Sequence, residues 1–166
     1  MADPRAGGEA DQPVPPHVSL RLLLPRDAAS IPVVRHLSEY ALRELGCEAE
    51  SVHDVGLAIT EACANVIEHA GSGEAYAVQV SIQARVCEIS VIDAGPTTFD
   101  EAGAAASVRE RSRDQMSESG RGIAIINAVM DDLSFDVRPE SGTLLRMVKN
   151  LDFEEGSAAR RLMLLG

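Results

Sequence analysis

In the stretch LAITEACANVIEHA, residues 57–70, a carboxylate, an amide and an imidazole recur every four residues, as Glu61, Asn65 and His69. Four residues advance a helix by about one turn, so the three side chains project from one side. An amide oxygen is a neutral ligand for Mg²⁺, and a glutamate one turn earlier can accept a proton from an attacking hydroxyl or water. The same pattern also suits an ordinary solvated face, and a lone His69 suits a hydrogen-bonding or capping residue. In VIDAGPTTFD, Asp93 and Gly95 follow an apolar run. A carboxylate at a strand end can accept from an exocyclic amine, and the glycine lets a flat ring approach the backbone, although turns use the same residues. In SGRGIAI, Gly120 and Gly122 lead into a helix, where backbone N–H groups can face an anion such as a triphosphate. Arg121 between them is either a charge contact or a solvated arginine, and helix lead-ins use glycine without any ligand.

The elements that must position these residues are legible from periodicity. HVSLRLLLP predicts a strand closed by Pro25. Ser30 and Pro32 open a helix with apolar positions Ile31, Val34, Leu37, Ala41 and Leu45, closed by Gly46. A second helix is expected from Ser51, where S-V-H-D resembles a capping box, to Gly71. Val52, Val55, Ile59, Cys63, Val66 and Ala70 form its apolar stripe, with Asp54, Glu61, Asn65, Glu68 and His69 opposite. AYAVQVSIQA and VCEISVIDAG read as adjacent strands, GIAIINAVMDDL as a third helix, and LSFDVRP and GTLLRMVKNL as a final hairpin. The order β-α-α-β-β-α-β-β predicts an α+β two-layer sandwich, a mixed β-sheet covered on one face by helices. Residues 96–119 contain no clean strand, and a connection that long predicts a lid. Residues 1–17, with four of the eight prolines, are expected to be a disordered tail, 18–152 the domain, and 153–166 a loosely attached C-terminal tail.

Composition narrows the chemistry. The 166 residues, 45% of them hydrophobic, suffice for one domain with a real core. A net charge of −11 repels phosphate backbones and anionic membranes, and 3% aromatic content leaves few stacking platforms for single strands. A small ligand or a protein partner is expected instead, with no direct nucleic acid and no membrane. Lys149 is the one lysine and no G-x-x-x-x-G-K-[ST] string occurs, which excludes a P-loop. Cys47, Cys63 and Cys87 lack C-x-x-C spacing and read as reduced core residues. No apolar run approaches the roughly 20 residues of a membrane span, and no signal-peptide core is evident, so a cytoplasmic location is expected.

Taken in order, TEACANVIEHA, DAGPTTFD, GRGIAIINAVMDD and GTLLRMVK resemble the GHKL ATPase superfamily, the Bergerat or histidine-kinase-like ATPase fold. More closely, the series is similar to the anti-sigma-factor serine/threonine kinases of bacterial partner switches, over residues 18–150. The resemblance implies ATP with Mg²⁺. Glu61 matches the catalytic base, Asn65 the Mg²⁺ ligand and Asp93 the carboxylate that holds the adenine amine. Gly95 matches the ring-approach glycine, Gly120 and Gly122 with Arg121 the phosphate loop, Thr143 a hydroxyl near the adenine, and His69 a histidine common in this branch. Glu68 departs from the pattern, in which an uncharged residue precedes that histidine. The family typically forms homodimers, binds a sigma factor and phosphorylates a serine on a STAS-domain anti-sigma-factor antagonist. The first strand and helix, including Arg21, are the expected dimer and sigma surface. The alternative is an ATP-binding regulatory module that works by protein binding without significant kinase activity; a glutamate kept one turn before the Mg²⁺ ligand favours the kinase.

Overall fold

The structure, a computed structural model, describes residues 17–69, 74–93, 120–138 and 142–164. The expected N-terminal tail apart from His17, the expected lid at 96–119 and Gly95 lie outside the described residues.

Five strands form one sheet: β1 (His17–Pro25), β2 (Ala75–Gln83), β3 (Val86–Asp93), β4 (Asp132–Arg138) and β5 (Gly142–Asn150), in spatial order β1-β2-β3-β5-β4. Every neighbouring pair is antiparallel, which corrects the expectation of a mixed sheet. The reason is positional. The helical crossover from β3 to β4 makes those two strands run the same way, but β5 inserts between them and pairs antiparallel with both. The two-layer α+β reading otherwise holds, with α1 (Ile31–Leu45), α2 (Ala49–His69) and α3 (Gly120–Val129) over the sheet and a short α4 (Ala158–Leu164) against α1.

Strand alternation directs the apolar set to one face. Tyr76, Val78, Val80 and Ile82 of β2, Cys87, Ile89 and Val91 of β3, and Leu145 and Met147 of β5 are buried there beneath Val55, Ile59 and Cys63 of α2. α2 is the central helix, packing on α1, α3, β3 and β5. It begins at Ala49, not Ser51; Ser51 is buried inside its first turns, and its Oγ accepts from Asp152 N at 3.2 Å instead of capping. In α1 the buried positions are Val34, Ser38 and Leu42, while Leu37, expected in the stripe, is exposed. Ser38 tolerates burial because its hydroxyl donates to Val34 O at 2.8 Å. Gly46 ends α1 in the left-handed conformation at φ 77°, as expected.

The C-terminal stretch is not loosely attached. Phe153 is buried and bridges to Cys47, Glu154 N donates to Gly46 O at 2.9 Å, and Ala159 is buried. Phe153 is apolar enough to join the core directly after β5, which charge-rich flanking residues conceal in the sequence.

Candidate functional site

The face of α2 bearing Glu61 and Asn65 is not a solvated surface: both side chains are half-buried, because the first turn of α3 lies over them. A Cβ at Gly122 would stand 3.0 Å from Glu61 Oε2, 3.1 Å from Asn65 Oδ1 and 3.4 Å from Asn65 Nδ2. Glycine lets the α3 backbone approach these two functional groups without pushing on them, whereas a Cβ there would require both to give by a few tenths of an ångström. Both Gly120 and Gly122 fall inside α3, whose first turn therefore presents backbone N–H groups without intrahelical partners. Among the described residues a Cβ at Gly120 would meet nothing within 4 Å, and Arg121 is exposed. The helix entrance is thus close-packed against α2 at Gly122.

A second group of candidates lies at the end of β3. Asp93 is its last residue and stands opposite Thr143 of β5. Directly opposed residues face the same side, and alternation with buried Val91 and Leu145 turns both towards the helices. Arg26 forms an ion pair with Asp93, a partner that sequence reading missed. In LLLPRDAA nothing in spacing or periodicity ties Arg26 to a strand that begins sixty residues later. The described part of α2 ends at His69, whose side chain is outside the described residues.

The three cysteines are core residues, as expected: all are buried and free. Burial pushes the Cys63 thiol up to about 11 and those of Cys47 and Cys87 up to about 12, so they are poor nucleophiles and poor metal ligands. Among the described residues no group of three or more His, Cys, Asp or Glu could hold a metal ion. A zinc or calcium cage is therefore not on offer from those residues. One amide oxygen and one carboxylate beside the first turn of a helix fit Mg²⁺ carried by phosphates, which keeps most of its shell as water and phosphate oxygen.

A model of the histidine kinase-like ATPase domain matches residues 24–149, which include both groups of candidates. The chain belongs to this family. Among curated proteins, this histidine kinase-like ATPase domain is similar to the serine-protein kinase RsbW of Halalkalibacterium halodurans, 27% identical over 142 residues, 82% of this chain and 86% of that protein. The serine-protein kinase RsbW of Bacillus licheniformis is 30% identical over 121 residues, 67% of this chain and 72% of that protein. That of Bacillus cereus is 24% identical over 142 residues, 82% of this chain and 87% of that protein. The resemblance to anti-sigma-factor kinases is borne out at the level of family. A solved structure of the RsbU and RsbW domains of Rv1364c from Mycobacterium tuberculosis superposes with a TM-score of 0.60 at 19% identity, over 81% of this chain. The chain spans 32% of that protein, and the likeness establishes the fold.

Proposed function

We propose that this ATPase-family domain is an anti-sigma-factor kinase that transfers the terminal phosphoryl group of ATP to a serine of a STAS-domain antagonist. The observation that carries the reading is the approach of Gly122 to Glu61 and Asn65, which joins the candidate base, the candidate metal ligand and the candidate phosphate turn in one place. Asp93 and Thr143 accept and orient the adenine, and the first turn of α3, through Gly120 and Gly122, faces the phosphates. Asn65 holds Mg²⁺ through its amide oxygen, and when bound the ion neutralises charge on the phosphoryl oxygens. Glu61 takes the proton of the attacking serine hydroxyl, so a nucleophile forms only where the phosphoryl group is waiting.

The sigma factor and a second copy of the chain are proposed to meet the surface of β1 and α1. Val33, Leu37 and Tyr40 are large apolar side chains left exposed on α1, and Leu23 is another on the outward face of β1, which it shares with Arg21; such residues favour a protein partner over open water. No helix among the described residues is long and apolar enough to cross a membrane, and a cytoplasmic site of action is part of the proposal. Incubation with labelled ATP, Mg²⁺ and a STAS-domain substrate tests the transfer. Glu61→Ala is expected to retain ATP binding and to lose transfer by about 10²–10⁴-fold. Transfer at the unaltered rate would remove Glu61 as the base, and no transfer by the unaltered chain would favour the binding-only module.

A further inference from the structure

Arg26 follows the last residue of β1, where its backbone is fixed on both sides. Its N–H donates to Glu74 O at 3.0 Å, and the next residue, Asp27, caps a 3-10 turn at Ala28–Ser30 by accepting from Ala29 N at 2.8 Å. Ser30 closes the clamp: its hydroxyl donates to Asp27 O at 2.7 Å and lies 2.7 Å from the hydroxyl of buried Tyr76 on β2. From this anchored position the guanidinium reaches Asp93 Oδ1, and the two side chains are only 11% and 13% exposed.

We propose that Arg26 and Asp93 act together as a two-point reader of the adenine base, with Arg26 as the residue that sets specificity. The inference rests on the reading of Asp93 as the base-binding carboxylate and adds the second half of the contact. Displacing Arg26 on nucleotide entry would strand a buried carboxylate, and a neutral amine returns less than the loss of a buried charge partner costs. The base therefore docks beside the pair and leaves it intact. The guanidinium engages Oδ1, and the carboxylate carries a second oxygen, Oδ2, able to accept from an amine. An acceptor set next to a donor matches adenine, whose 6-amino group donates while the adjacent ring nitrogen N1 accepts. Guanine presents the reverse order, a carbonyl oxygen against the carboxylate and an N1–H against the guanidinium. Both of its contacts are mismatched, and buried polar groups left unpaired are the strongest source of discrimination a pocket has.

Calorimetric titration with ATP, GTP and 1-deaza-ATP, which has a C–H in place of N1, tests the pair. On the unaltered chain, 1-deaza-ATP should bind about 10- to 100-fold more weakly than ATP, the loss expected for one hydrogen bond to a charged group. Arg26→Met should weaken ATP by a similar factor, bind ATP and 1-deaza-ATP equally, and narrow the preference over GTP; Arg26→Lys should restore part of the N1 dependence. A merely structural arginine would not erase the difference between the two analogues. Equal binding of ATP and 1-deaza-ATP by the unaltered chain overturns the proposal, and this arm stands even if the variants fail to fold. Tighter ATP binding by Arg26→Met also overturns it and makes Arg26 a competitor for Asp93. Asp93→Asn distinguishes the levels: unchanged ATP affinity in that variant removes the base-site reading itself, whereas loss there with no effect at Arg26 removes only the present inference.

Discussion

A methyl group at position 122 is the smallest change that probes the site, because its neighbours are the two groups proposed to do the chemistry. Alanine is the better helix former by roughly 0.5–1 kcal/mol, so Gly122→Ala should leave thermal stability unchanged or slightly raised. Its Cβ would crowd Glu61 Oε2 at 3.0 Å and Asn65 Oδ1 at 3.1 Å, tighter than ordinary van der Waals contact. Mg²⁺–ATP affinity should fall by about tenfold or more, on the scale of one lost charge-assisted hydrogen bond. A melting curve and a titration on the same sample check both halves, and unaltered affinity would mean that the α2–α3 contact is only packing. Asn65→Ala separates the metal from the pocket. If the amide oxygen holds Mg²⁺, ATP affinity should fall when Mg²⁺ is present and change little in EDTA. Equal losses in both conditions would make Asn65 structural.

At the scale of elements, the one lysine ties three of them together. Lys149 Nζ on β5 donates to Asp54 Oδ2 on α2 at 2.7 Å and to the carbonyl of Val129, the last residue of α3, also at 2.7 Å. A cation at a helix C-terminus is favourable, and a pair this sheltered is costly to break from one side. Lys149→Met should lower stability by about 3 kcal/mol in urea unfolding, with part recovered when Asp54→Asn is added. In the two-residue hairpin between β2 and β3, Ala84 has φ 51°, a conformation that L residues adopt at a cost. Ala84→Gly should therefore raise stability by about 0.5–1 kcal/mol, read as a higher urea midpoint. The strands and the helix order were legible because each is a local pattern of period 2 or 3.6, and the candidate residues on α2, β3 and α3 were singled out because they fall in short motifs whose order resembles that of the family. Four features were not. The insertion of β5 between β3 and β4, the burial of Ser38 in place of Leu37, the docking of Phe153 and the Arg26–Asp93 pair are all decided by residues distant in sequence. Ser51 illustrates the limit: its local spacing suggests a cap, but its hydroxyl serves the backbone at Asp152 on the far side of the chain.

Over the whole molecule, every titration shift resolved among the described residues has the same sign. The thiols of Cys47, Cys63 and Cys87 and the phenol of Tyr76 are raised chiefly by burial, and the Arg146 guanidinium is raised by its hydrogen bond to Glu88. A group whose folded value lies above its unfolded one contributes stability in full below the unfolded value, and loses it as pH climbs towards the folded value. For the thiols that window runs from the ordinary value of 9.0 to about 11 for Cys63 and about 12 for Cys47 and Cys87. Stability should therefore be level between pH 7 and 8.5 and fall by pH 10, by about 1 kcal/mol per thiol, a large share of the roughly 5–15 kcal/mol that holds a domain. The three thiols also test whether the molecule opens as one unit. Cys47 follows the α1 cap and bridges to Phe153, Cys63 lies within α2 and Cys87 within β3, yet all belong to a single buried cluster. If that core is cooperative, iodoacetamide at pH 8 should alkylate all three at one rate, set by global opening and slowed equally by added ATP and Mg²⁺. Faster reaction at Cys47 alone would mean that the Phe153 segment lifts independently. The C-terminal stretch would then be a separate, weaker unit, as its charge-rich sequence suggests.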